Sequence, residues 1–202
     1  MGTLKTTNIE SISGSGTVTL GTSGETFNVP SGVTISNSGT ASGFGITSAQ
    51  EFRLAADQAG SGSAGTVLTN WEENDTDYQG IGSNWSESSG VFSCSATGIY
   101  TVCWTLAVAV TTAAADAMDP GIQISTNSGG AYTTRASSWG YIRSDQWADS
   151  LGNTFMFDVA DTSTFRLKFL ESISNDVDAN TTIKGSSTES QTNMVFIRLG
   201  DT

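Results

Sequence analysis

From Gly98 to Val110 the sequence reads GIYTVCWTLAVAV, and every second residue from Tyr100 on is bulky and apolar: Tyr100, Val102, Trp104, Leu106, Val108 and Val110. A period of two puts all of these on one face of a single extended strand, because successive strand side chains point to opposite sides. On a helix, at about 100° per residue, the same residues would scatter around the axis. Further strand-length runs lie at Glu51–Leu54, 66–71, 91–95, 121–126, 131–143, 153–159, 164–171 and 192–199, and several alternate in the same way. Phe155 and Phe157 share a face, as do Phe165, Leu167 and Phe169. Between the runs lie Gly, Ser, Asn and Asp, the residues that make tight turns. The 23 glycines against 2 prolines and 8 Lys plus Arg suit strands and turns rather than helices. AADQAGSGSAG (55–65) reads as a turn-rich connection, and TTAAADAMD (111–119) reads as a loop ended by Pro120. The expected fold is all-β. About eight antiparallel strands over residues 49–202 close most economically as a jelly-roll β-sandwich.

Residues 1–48 differ in character. Short alternating strands, TVTL, TFNV and VTI, are expected between Gly-Ser-Thr turns, and Gly16, Gly24 and Gly32 recur at a fixed interval. Each strand offers only one apolar pair: Val18 with Leu20, Phe27 with Val29, Val33 with Ile35. Such a strip cannot close a core alone, so it is expected to pack on other copies of itself or on another protein as an anchor or trimer stalk. A flexible Ser/Gly linker is the alternative. The chain is thus expected to divide into a strip over 1–48 and a jelly roll over 49–202.

The net charge is −12 and the sequence pI about 4.1. Nucleic-acid and anionic-membrane binding both need clustered Lys and Arg, and no cluster occurs, so neither is expected as a partner. The acidity serves solubility and repulsion between particles. No stretch is long and apolar enough for a transmembrane helix, and the N-terminus lacks the apolar segment of a signal peptide, so synthesis in a cytoplasm is expected.

The chain has no histidine. That removes imidazole general bases, Ser-His-Asp and Cys-His catalysis and His-bearing zinc sites. Cys94 and Cys103 fit no metal spacing and are expected as structural thiols, Cys94 on the face of Phe92 and Cys103 facing away from Tyr100, Val102 and Trp104. Carboxylates gather at Glu72, Glu73, Asp75 and Asp77, at Asp176 and Asp178, and at Asp116 and Asp119. Without EF-hand spacing they read as solvated turns rather than a calcium site. No enzymatic activity, metal or cofactor is expected. Trp71, Trp85, Trp139, Tyr141 and Trp147 fall at strand ends or in loops, where they serve as trimer contacts, as docking groups, as platforms for host glycans or as ordinary edge packing. Asn74, Asn84 and Asn180 begin N-x-S/T triplets, which a Ser/Thr-rich chain produces by chance.

GVFSCSATGIYTVCW (90–104) resembles the G-x-F-x-x-x-x-x-G-x-Y-x-x-x-W/F signature of the complement globular-head and tumour-necrosis-factor-like superfamily, at Gly90, Phe92, Gly98, Tyr100 and Trp104. SLGNTFMFDVADTSTFRLKFLES (150–172) is similar to that fold's pair of long strands, and TNMVFIRLGD (192–201) to its terminal strand. The resemblance implies a jelly roll of ten strands that assembles as a tight homotrimer. Aromatic and aliphatic faces would meet around the three-fold axis, with Tyr100, Trp104, Trp139, Tyr141, Trp147 and Phe196 as interface candidates.

FRLAAD (52–57), LTNWEENDTDY (68–78), IGSNWSESSGVFS (81–93) and SGVTISNSGTASGFG (31–45) resemble phrases in structural proteins of marine and cyanobacterial tailed phages. That resemblance implies a virion surface protein, a capsid decoration or head-fibre component. It would dock on the major capsid protein or a tail protein through the N-terminal strip. A short tail-fibre or receptor-binding module that recognises a host surface glycan is the alternative.

Overall fold

The computed structural model describes residues 19, 26–34, 45–60, 65–76, 80–110, 116–142, 148–174 and 181–202. The chain divides into two units, Met1–Ser42 and Gly43–Thr202. In the first, Thr26–Thr34 carry a turn at Ser31-Gly32 and no strand, so the strand expected at TFNV does not form there within the protomer, while TVTL apart from Thr19, and Ile35 of VTI, lie outside the described residues. The backbone N–H of Val33 donates to the carbonyl of Pro30 at 3.2 Å.

In the second unit every described element is a strand: β1 (Ala49–Leu54), β2 (Ala56–Ala59), β3 (Thr66–Val67), β4 (Trp71–Glu73), β5 (Trp85–Ser88), β6 (Val91–Cys94), β7 (Gly98–Val110), β8 (Asp116–Met118), β9 (Gly121–Ser125), β10 (Thr133–Ser137), β11 (Gly140–Ile142), β12 (Ala148–Val159), β13 (Arg166–Glu171), β14 (Ile173–Ser174), β15 (Thr181–Ser186) and β16 (Asn193–Gly200). The alternating stretch that dominates the sequence is β7, the centre of a seven-stranded sheet in the order β2-β15-β7-β16-β1-β4. β12 runs antiparallel to β7 from Gly98 to Ala109, while β16 and β15 share β7's other edge in succession. The opposing sheet has the order β10-β9-β13-β6-β5 with β3 beside β13, and a three-stranded sheet has the order β11-β8-β14.

Two connections are more regular than expected. The 55–65 tract contributes β2, and the end of the Ala-rich tract contributes β8; each finds a ladder partner distant in sequence, in β15 and in β11 with β14. Conversely, the single run expected at 131–143 is broken into β10 and β11.

The core is an aromatic seam between the sheets. Phe196 of β16 stacks on Trp85 of β5 at 4.2 Å, Trp104 of β7 meets Phe169 of β13 at 4.9 Å, and Phe52 of β1 meets Phe92 of β6 edge-on at 5.2 Å. Such pairs add about 0.5–1.5 kcal/mol each beyond the area they bury. One buried polar side chain joins the same layers. Gln50 of β1 accepts from the backbone N–H of Trp85 at 2.7 Å and donates to its carbonyl at 3.3 Å, as a strand neighbour would.

Both signature glycines have backbone reasons. Ser89 and Gly90 form the two-residue turn of the β5–β6 hairpin with φ of 53° and 81°, and a Cβ on Gly90 would lie 2.6 Å from the Leu68 carbonyl oxygen. Gly98 has φ of 144°, and a Cβ there would lie 2.5 Å from the Gly200 carbonyl oxygen, where β16 closes on β7.

Candidate functional site

The interface candidates separate into two groups. Tyr100, Trp104 and Phe196 are at most 2% exposed and belong to the protomer's own core, which corrects their assignment as contact residues. Alternation told which residues share a face, but not that the opposing sheet covers that face. Trp71 and Trp85, also grouped with the peripheral aromatics, are buried in the same seam. Trp139 and Tyr141 are 76% and 57% exposed. Trp147 lies outside the described residues, as do Val18, Leu20 and Ile35 of the strip. Of the remaining strip residues, Phe27 and Val33 are exposed and Val29 is half-buried.

The core tyrosine is held by its hydroxyl, which donates to the Ala96 carbonyl at 3.0 Å and accepts from the Asn84 side-chain amide at 3.2 Å. Burial, then the hydrogen bond with Cys94, pushes the phenol up to about 12. Burial likewise raises the Cys94 thiol.

The other face of β7 has a different chemistry. Ile99, Thr101, Cys103, Thr105, Ala107 and Ala109 point away from the seam and are half-buried. In register beside them, Thr101 lies between Ile197 of β16 and Met156 of β12, and Cys103 between Val195 and Thr154. Met156 is 65% exposed. The result is a surface mostly of small and β-branched side chains, with Met156 among them and no lysine or arginine at these positions. Charges flank it in Glu51, Arg53 and Asp158, which lie in register with Val195, Asn193 and Ile99.

The carboxylates of the WEENDTDY segment have structural partners. Arg53, 1% exposed, donates through Nε to Glu72 at 2.8 Å and through its other nitrogens to Asn74, Asp75, Thr76 and the Ser187 carbonyl. Glu73 accepts from the Gln50 amide at 3.0 Å. A buried guanidinium demands this many acceptors, and the sequence signal for the clamp was an arginine on an otherwise apolar strand. Asp77, Asp176 and Asp178 lie outside the described residues. The Asn74 amide donates to Glu51, so both described N-x-S/T asparagines are engaged within the fold. Cys94 and Cys103 are free thiols on opposite faces, Cys94 buried and Cys103 half-buried beside the Thr154 hydroxyl.

The sequence matches no known family profile and no curated protein. Its fold does match solved structures. Murine APRIL, crystallised at pH 8.5, superposes with a TM-score of 0.52 at 15% identity over 75% of this chain and 98% of its own. The Eiger TNF of S. frugiperda superposes with a TM-score of 0.54 at 10% identity over 76% of this chain and 93% of its own. At those identities the likeness is one of architecture, and it establishes the antiparallel jelly-roll β-sandwich of the tumour-necrosis-factor-like proteins as the fold of this chain.

Proposed function

We propose that this chain is a virion structural protein without enzymatic activity: a homotrimer, made in the host cytoplasm and mounted as decoration or head fibre on the surface of a tailed phage. The observation that carries the self-association is the outer face of β7, β16 and β12. It centres on Thr101, Cys103, Val195, Ile197 and Met156, flanked by charges. Association surfaces combine a dry, apolar centre with a polar rim, and small side chains let two such faces approach closely. The tumour-necrosis-factor-like architecture supports the same reading. The strip over 1–48 is the attachment segment for the major capsid protein or a tail protein, through Val18, Leu20, Phe27, Val29, Val33 and Ile35. Exposure of Phe27 and Val33 within the protomer supports that role. The phage-like phrases of the sequence support the virion setting.

Light scattering of the purified full chain tests the assembly. Three times the chain mass of 21.0 kDa is expected, falling to one chain for Thr101→Glu, which puts a charge in the centre of the face. A monomeric wild type refutes it. Gold-labelled antibody against the chain should decorate intact particles, and unlabelled particles would remove the virion reading.

A second reading, a receptor-binding module for a host glycan, is favoured by Trp139, just before β11, and Tyr141 within it, which are exposed away from the sheet that carries the association face.

A further inference from the structure

The three-stranded sheet continues the opposing sheet of the sandwich. Gly121 pairs with Ser137 and Leu170 on its two sides, and Met118, three residues back, pairs with Gly140 and Ile173, three residues on. The register is unbroken, so β10, β9 and β13 run on as β11, β8 and β14 across a crease at residues 138–139, 119–120 and 172. Two hydrogen bonds span it: Asp119 N–H to the Ser172 carbonyl at 2.7 Å, and Ser138 N–H to the Pro120 carbonyl at 3.0 Å.

This register puts Trp139 and Ser172 on either side of Asp119. Paired residues share a face, and alternation confirms which one. Met118, Pro120 and Glu171 are buried, so their neighbours Trp139, Asp119 and Ser172 look outward, as does Tyr141 two residues beyond Trp139. At the crease the outer face holds a groove lined by Asp119, Gln123, Thr134, Ser137 and Ser172, over Leu170 and Gly121. Gly121 lets β10 approach closely, since a Cβ there would lie 2.8 Å from the Ala136 carbonyl oxygen. Asp119 Oδ1 is shielded from solvent and receives no hydrogen bond from any described residue. A shielded acceptor left unpaired is costly.

We propose that this crease is a binding site for a saccharide without acidic groups, neutral or amine-bearing. Carboxylate, amide and hydroxyl groups converge there, the donors and acceptors that pair with sugar hydroxyls. Beside them Trp139, just before β11, and Tyr141 within it, about 7 Å apart for extended chain, offer flat apolar faces for the C–H side of pyranose rings. No lysine or arginine lines the groove, and the net charge of −12 repels sialic and uronic acids, which selects uncharged or amine-bearing sugars. The inference rests on the receptor-binding reading and is independent of the association face.

The test is a glycan array of neutral, amino and anionic oligosaccharides probed with the labelled full chain, followed by titration of the hits against wild type, Trp139→Ala and Asp119→Asn. Trp139 is exposed, so its alanine variant folds. Saturable binding to neutral or amino sugars, weakened about tenfold or more by each substitution, is the expected result. Hits that both variants bind as wild type does overturn the crease and leave the receptor-binding reading standing. An empty array overturns the crease, and adsorption of the labelled chain to host cells then decides whether a receptor reading survives without a glycan.

Discussion

The two faces of β7 were built from one alternating sequence and have opposite fates. Toward the core, Tyr100, Trp104 and Leu106 interlock with the opposing sheet; away from it, Thr101, Cys103, Thr105 and Ala107 form a surface of small side chains. Large side chains fill a gap of about 10 Å between stacked sheets. Small ones leave nothing to interlock, and their worth depends on a second surface arriving. One face therefore sets stability, and the other is free to serve association.

Substitutions at neighbouring positions test that contrast most sharply. Trp104→Ala should cost about 3–5 kcal/mol in urea unfolding, because it opens a cavity against Phe169. Thr105→Ala on the next residue should stay within about 0.5 kcal/mol. Comparable losses at the two positions would erase the distinction. The same contrast recurs on β1. Gln50→Leu removes the amide that pairs with both backbone groups of Trp85 and should cost about 1–3 kcal/mol, seen as a lower urea midpoint.

Alkaline titration gives a smaller effect confined to the core face. The unfolded Tyr100 phenol ionises near its ordinary value of about 10, and the folded one at about 12. Its contribution is complete below pH of about 10 and is lost as the pH rises through about 12, because the unfolded chain gives up its proton first. The melting temperature should fall across that window by more in wild type than in Tyr100→Phe. Equal slopes would show that the phenol is not buried in the folded state. Smallest of all, Trp139→Ala should leave unfolding unchanged within about 0.5 kcal/mol, since the ring packs little against the protomer. A larger loss would move Trp139 from the outer surface into the structural account.

Local chemistry was enough to define the strands and their faces. A period of two needs nothing beyond backbone geometry, so β7, β13 and β16 and their apolar sides were legible, as was the separation of Cys94 from Cys103 onto opposite faces. The signature positions Gly90 and Gly98 were legible as well, because turn geometry and close backbone approach admit little else. Which face is covered is a different question, since alternation is blind to the partner sheet. For that reason Tyr100, Trp104 and Phe196 could be read as contacts and proved to be core, while Trp139 and Tyr141, of the described aromatic candidates in the sandwich, reached solvent. The partners of Arg53, the Gln50 bridge to Trp85 and the row that joins Trp139 to Asp119 and Ser172 all link residues far apart in the chain. Such contacts exist only once long-range pairing has set the register, a choice made by the packing of the whole sandwich and not by any local stretch.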